Sequence, residues 1–546
     1  MASESDGRRP AAHRGSQAAA GPGAATAEIA GTLAIFAAVA AWPVPDVNET
    51  VYLPKALHHF DPAYGGGDWF LQTPDAHSLF YVLMGPIVAA FGLDHGAWVG
   101  RWLGWLALAW GFRHAVAPLL AGTPWRLLAA WLFSLALRHT TVAGEWVIGG
   151  CESKVFAWAL VLPAIGEVAR GRFATAWFLM GGATALNAVV GAWGIVALGI
   201  TRWRAGRDAL AGGTDGHPTP APFRAVMLLG GLALAAWGTV PLLALSTGVD
   251  AAGRAAADRV YVVDRLYHHL LPWAFPEAMI ARHLLAILVG AILHRAVPQT
   301  PARSRAALFQ EAAVSISLAG CLIAAAEPLA PDLAIRLLRF YWFRLADGVV
   351  PFALAASATA MLADDAACGR TLPGRPALVR MLVAAALLLD LGFQSRHWPL
   401  PGRVGLTPRG DAKVDAPAWA DVCGWVRDHV PAGSRFLTPR GAASFTWRTG
   451  LPEVVSWKNS PQDAVSLLEW KRRILDCFSA DGRLGNLERS TAALGAARME
   501  EVAARYGADH AIVPLDVPGL DTLPFERLHA NQAYAVYRLA APVQDR

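Results

Sequence analysis

Eleven apolar stretches follow one another between residues 24 and 395, and they leave little room for any fold but a helical bundle in a bilayer. They lie near 24–44, 77–93, 98–120, 125–137, 155–169, 174–200, 223–245, 276–293, 308–326, 340–363 and 380–395. A helix needs roughly 20 residues to cross ~30 Å of hydrocarbon, and an unpaired backbone group in lipid is too costly for open structure. The stretch at 125–137 is short by that measure and reads as a short or re-entrant piece.

Composition agrees. Only 16% of the residues are charged and 55% are hydrophobic, too apolar a balance for an ordinary water-soluble protein. The net charge of +5 does not point to nucleic acid, because the arginines cluster in short loops between apolar stretches instead of forming one basic face. Such arginines mark the cytoplasmic side. Arg202, Arg204, Arg207 and Arg224 define one such loop, Arg295, Arg303 and Arg305 a second, and Arg370, Arg375 and Arg380 a third. The loops at 246–275 and 327–335 then lie outside. Arg170 and Arg172 ask for the cytoplasm as well. Either 174–200 turns back near Asn187 as a helical hairpin, or one earlier stretch does not cross; roughly 10 to 12 membrane elements result.

Residues 1–23 read as a disordered cytoplasmic tail, residues 24–399 as the transmembrane domain with an external loop at 45–76, and residues 400–546 as an exported α/β domain. In the last, helices are expected over ADVCGWVRDHV, DAVSLLEWKRRILDCF and RMEEVAARYG, with strands at SRFLTP, ASFTWRT, HAIVPL and YAVYRL. Cys423 and Cys477 share this domain, either as a disulfide or as two buried thiols. Trp447, Trp457, Lys458, Gln462, Glu469, Trp470, Arg472 and Arg473 suit carbohydrate binding or, more simply, docking onto a neighbour.

Polar clusters in the external segments are the candidates for chemistry. Asp46 and Glu49 follow the first apolar stretch directly, where partial desolvation suits a base or a metal ligand; solvated loop acids are the plain alternative. Asp68, after three glycines, is a candidate for substrate contact. Glu152 and Lys154 could hold a phosphate and a hydroxyl, or form a structural ion pair at a helix end. Arg265, His268 and His269 precede a membrane re-entry, a place for a lipid phosphate or for a belt of interfacial cations. Arg344 and Asp347, three residues apart, can meet on one helix face.

PDVNETVY, then GGDWF, then HSLFYVLMGPIVAAFGL with Arg101 beyond it, resembles the N-terminal part of the GT-C superfamily of multi-spanning glycosyltransferases. The resemblance implies a transferase that takes a sugar from a polyprenyl-phosphate carrier, with the lipid entering between helices. It implies that Asp46 and Glu49 are the acidic pair that accepts a proton or holds a divalent cation, Mg or Mn. No Asp-x-Asp accompanies them. The whole chain, including RLYHHLLPWAFP, FRLAD and WKNSPQD, also resembles an uncharacterised family of bacterial membrane proteins with an exported C-terminal domain, from which no activity follows. The expectation is a multi-pass protein of the bacterial inner membrane, N-terminus cytoplasmic and C-terminal domain extracytoplasmic, whose partners are membrane lipid and the lipid-linked sugar. Its rivals are a flippase for a lipid-linked substrate and a non-catalytic assembly protein. No P-loop, dinucleotide motif, GxSxG elbow or zinc spacing is present.

Overall fold

The computed structural model describes residues 22–206, 221–367 and 376–539. Residues 1–21 of the expected N-terminal tail, Arg207, Arg370 and Arg375 lie outside them, whereas residues 22–23 of that tail already belong to the first helix. Among the described residues the first domain holds the α-helices α1 (Pro22–Ala40), α2 (Glu49–Phe60), α3 (Ser78–Val116), α4 (Thr123–Thr140), α5 (Ser153–Arg170), α6 (Phe173–Leu186), α7 (Ala188–Arg204), α8 (Ala221–Ala244), α9 (Ala251–Arg259), α10 (Tyr267–Leu270), α11 (Glu277–Ala296), α12 (Pro301–Ala325), α13 (Pro331–Leu338), α14 (Arg344–Ala367) and α15 (Pro376–Gln394). Among the described residues six of them, α1, α3, α8, α11, α12 and α14, are long and apolar enough to cross a membrane.

Two local features fix how the chain threads. Gly92, at φ 73°, breaks α3 into two arms that fold back on each other. Gly96 lies against Val88 and Gly100 against Met84. Asp94, at the tip, accepts a hydrogen bond from Trp447 of the C-terminal domain (2.9 Å), and Ser78, at the start, meets Trp237 near the end of α8. Both ends of the first arm therefore lie on the side that carries the C-terminal domain, so the stretch expected to cross at 77–93 does not. The second feature is Asn187. Its side chain caps α7 and donates to Ser153 Oγ at the start of α5 (3.1 Å). Gly191 and Gly194 let α7 pack directly on Thr184 and Met180 of α6, the close approach that small residues allow between helices. Residues 174–200 are thus the hairpin, and α4, at 18 residues, is about long enough to run from one side to the other. The opposite side gathers the ends of α3, α5 and α7 with the start of α12: Arg303 donates to Leu119 O, Arg305 to Ala169 O, and Arg204 pairs with Glu311.

The C-terminal domain is a four-stranded sheet, β1 (Phe436–Leu437), β2 (His510–Pro514), β3 (Glu526–Ala530) and β4 (Tyr534–Arg538), in the order β1-β2-β4-β3. β1 runs parallel to β2; the other pairs are antiparallel. Alternating side chains feed two cores. Phe436, Ile512 and Val536 pack under α16 (Ala416–His429) and α17 (Phe445–Thr449), whereas Leu437, Ala511 and Val513 pack under α18 (Ala464–Phe478) and α19 (Ala496–Tyr506).

One expectation fails here, one strand went unforeseen, and one open alternative is decided, each for a physical reason. The ASFTWRT segment is the helix α17, closed by Gly450 at φ 71°; burial of Phe445 in one core and Trp447 against α3 overrides its strand-forming composition. Strand β3, ERLHA, gives no apolar alternation because it is an exposed edge. Cys423 and Cys477 are both free thiols in different cores, with the sheet between them, too far apart for a disulfide.

Candidate functional site

Buried cations pair with several acids of the loop at 45–76. Glu49, 1% exposed, takes Nε and Nη2 of Arg101 in a bidentate pair, both at 2.7 Å. It also accepts Cys151 N and Asp46 N, each at 2.7 Å. A carboxylate offers about four acceptor positions, and all are filled. Glu49 is a clamp that ties the loop, α3 and the turn before α5 into one unit.

Asp46 is placed by that clamp. Its Oδ1 accepts from Val47 N and its Oδ2 from Arg409 Nη2 (2.5 Å). The Arg409 guanidinium, supplied by the C-terminal segment, lies between the rings of Trp42 and Trp146. Burial alone would raise the Asp46 carboxyl, but the charges of Arg409 and Arg101 outweigh it and hold the group below its ordinary value. Gly150 is what allows the close approach, since a Cβ there would sit 2.8 Å from Asp46 Cβ and from Glu49 Oε1. Gly150→Ala should lower stability by about 2 kcal/mol and cut ligand binding with it; unchanged melting and binding would show that the backbone gives way freely.

Asn48 extends the cluster. It donates to Glu152 Oε2 and accepts from Lys458 Nζ, both at 2.7 Å. Glu152, with Lys154 at 3.5 Å, has its carboxyl raised by burial and by Asp46, against the pull of Lys154. Arg265 is buried and donates to the carbonyls of Trp457 (3.1 Å) and Lys458 (3.4 Å). His269 donates from Nδ1 to Ala143 O (2.6 Å), and burial, helped by His268, pushes it well below the usual histidine range, so it is a neutral ring. Burial together with Arg265 and Lys458 lowers His268 too. Arg344 pairs with Glu145 (2.9 Å), whose other oxygen accepts from Trp158 Nε1.

Asp46, Glu152, Lys154, Arg265, His268, His269 and Arg344 are thereby brought into one cluster of mutually interacting charges beneath the C-terminal domain. A cavity of about 430 Å³ touches it through Glu145, His268 and His269 and is otherwise lined largely by apolar residues such as Val39, Leu137 and Ile148. Three candidates stand apart. Arg344 does not meet Asp347; that carboxylate instead accepts the backbone N–H groups of Val142, Ala143 and Glu145, fixing the loop from below. Asp68 is buried under the C-terminal domain and accepts from Leu71 N, Glu453 N and Thr446 Oγ1, so it docks the domain. Glu49 is the clamp already described.

Sequence reasoning overlooked Arg409 and Asn48, and set Lys458 among docking residues. Arg409 sits in a Pro- and Gly-rich connection with no pattern around it, so only the folded chain reveals it. A divalent cation does not fit the Asp46 and Glu49 pair: it would have to displace Arg101 and Arg409 from oxygens they already occupy. Among the described residues no group of three or more His, Cys, Asp or Glu comes together as metal donors.

A family model described as a domain of unknown function, DUF6798, matches residues 417–477, which span α16 to α18. No curated protein matches the chain. Among solved structures, ArnT from Cupriavidus metallidurans bound to undecaprenyl phosphate is similar at 16% identity over 95% of this chain and 98% of that one, with a TM-score of 0.41. The mycobacterial arabinofuranosyltransferase AftD is similar at 18% identity over 94% of this chain and 41% of its own, TM-score 0.46. The Archaeoglobus fulgidus oligosaccharyltransferase is similar at 11% identity over 90% and 68%, TM-score 0.37. Scores and identities this low assign no activity to this chain.

Proposed function

We propose that this protein is a membrane glycosyltransferase that moves a sugar from a polyprenyl-phosphate carrier to a hydroxyl acceptor, on the extracytoplasmic face of a bacterial inner membrane. The observation that carries the reading is the cluster itself: an ionised carboxylate, Asp46, and a buried arginine, Arg265, with no carboxylate partner among the described residues, near a largely apolar cavity that His268 and His269 border. The GT-C resemblance of the loop sequence points the same way.

In this reading the acceptor oxygen attacks the anomeric carbon, the carbon–oxygen bond to phosphate breaks, and the electron pair leaves with the polyprenyl phosphate. Asp46 takes the acceptor's proton. Arg265 faces the phosphate, whose negative charge grows as the bond breaks, and preorganised cations stabilise that change most effectively in a dry site. Glu152 and Lys154 hold acceptor or sugar hydroxyls, neutral His269 offers Nε2 as an acceptor, and Arg344 with Glu145 keeps the wall rigid. The apolar cavity takes prenyl carbons.

The test uses the full chain in lipid nanodiscs with a panel of polyprenyl-phosphate sugars and acceptors, reading new glycosidic bonds and released polyprenyl phosphate. Arg265→Gln should lower kcat/KM by about 10²-fold, with KM for the donor raised. Donor moved across the bilayer with no new bond would establish a flippase and overturn the reading.

A further inference from the structure

The buried positive charge beside Asn48 exceeds what the protein neutralises. Arg265 spends N–H groups on two carbonyl oxygens, and Lys458 spends one on Asn48; among the described residues neither forms an ion pair with a carboxylate. Asn48 stands between Lys458 and Glu152. Arg339 shows the contrast, since it sits nearby on the same face and pairs with Asp258 at 2.6 Å. Two like charges kept close and largely out of water, with Glu152 and Asp46 acting on Lys458 only from a distance, are expensive. An anion between them would relieve that cost.

We propose that Lys458 of the C-terminal domain and Arg265 of the membrane domain form one split clamp for the donor's phosphate, so that the site is complete only when the C-terminal domain is docked. This inference rests on the proposed function and adds to it a binding residue from the other domain. The docking is extensive: Tyr64 donates to Thr446 O, Arg435 to Gly67 O, Arg339 to Gln462 O and Ala464 N to Leu245 O, all bonds across the domain boundary. Planar Arg265 suits two phosphate oxygens, and Lys458 adds a point charge with free N–H groups.

Burial, reinforced by Arg265 and Lys154 and opposed by Glu152 and Asp46, lowers the Lys458 ammonium to about 7. The sign follows. Below that value Lys458 is charged and the clamp is whole; as pH rises through it the free protein loses the charge, and binding must take up a proton. Affinity for a phosphate-bearing lipid should therefore weaken between pH 6 and 8.5.

The experiment measures binding of polyprenyl phosphate, the neutral polyprenol and inorganic phosphate to the full chain in nanodiscs at both pH values. Wild type should prefer the phosphate lipid over the alcohol, more strongly at pH 6. Lys458→Gln should cost about 10-fold or more at pH 6 and flatten the pH dependence, with alcohol binding unchanged. Lys458→Arg, always charged, should bind well at both pH values, which a merely structural lysine would not require. Binding of the phosphate lipid that is lost in Arg265→Gln yet intact in Lys458→Gln overturns the split clamp alone. A wild type that does not distinguish phosphate lipid from alcohol overturns both this inference and the transferase reading. Phosphate alone binding as tightly as the lipid would make the occupant a free anion, against the donor clamp.

Discussion

Asp46→Asn is expected to lower the turnover of sugar transfer by about 10²–10⁴-fold, the usual range for loss of a general base, with donor binding nearly unchanged and a lowered melting temperature from the lost charge pair with Arg409. The amide keeps the shape that Arg409 and Val47 contact. It cannot take a proton. The same geometry fixes the pH behaviour. Because Arg409 and Arg101 outweigh burial and depress the Asp46 carboxyl, the base form persists well into acid, and the acid limb of kcat/KM falls below the ordinary carboxylate value. Arg409→Gln removes the largest of those opposing charges and should shift that limb upward in pH. Stability follows the same sign: what Asp46 contributes is present above its unfolded value and is lost as pH falls through the folded one. Full turnover in Asp46→Asn with turnover abolished in Glu152→Gln would transfer the base role to Glu152, whose carboxyl burial pushes the other way.

The second large effect concerns stability. Glu49→Ala should cost about 3–5 kcal/mol, read as a fall in melting temperature in detergent, because Arg101 is buried at 1% exposure and would be left without its carboxylate. Two backbone donors, Asp46 N and Cys151 N, would lose their acceptor as well. Arg101→Ala should cost a similar amount by stranding Glu49. The double replacement Glu49→Leu with Arg101→Met should be milder than either single change, since it removes both charges and keeps volume. Single and double losses that simply add would mean the two residues act independently, and Glu49 would lose its role as the clamp. Activity in Glu49→Gln distinguishes clamp from base: a clamp variant that still folds keeps its pH profile, whereas loss of a base does not.

How far the chain could be read in advance varies from element to element. The helical membrane domain, the change to an α/β pattern near residue 400 and the turn at Asn187 all follow from local pattern, because hydrophobic length and periodicity are local properties. The 77–93 stretch is apolar enough to cross, and only the sharp break at Gly92, with Asp94 held by Trp447, keeps it on one side. The separation of Cys423 from Cys477 depends on strand alternation across a sheet in which Phe436 of β1 pairs with His510 of β2, far along the chain.

The candidate site divides in the same way. Composition and position singled out Asp46, Glu152, Lys154, Arg265, His268, His269 and Arg344, since charges beside membrane stretches are costly and stand out. What the sequence determined is the supply of such groups on one side of a bilayer protein. The tertiary structure decided their roles: which acid is saturated by an arginine, which arginine lacks a counter-ion, and that Arg409 and Lys458 arrive from a domain hundreds of residues away. The reason is physical. A carboxylate's chemistry is set by the hydrogen bonds and charges within a few ångströms, and those neighbours are chosen by folding, not by distance along the chain.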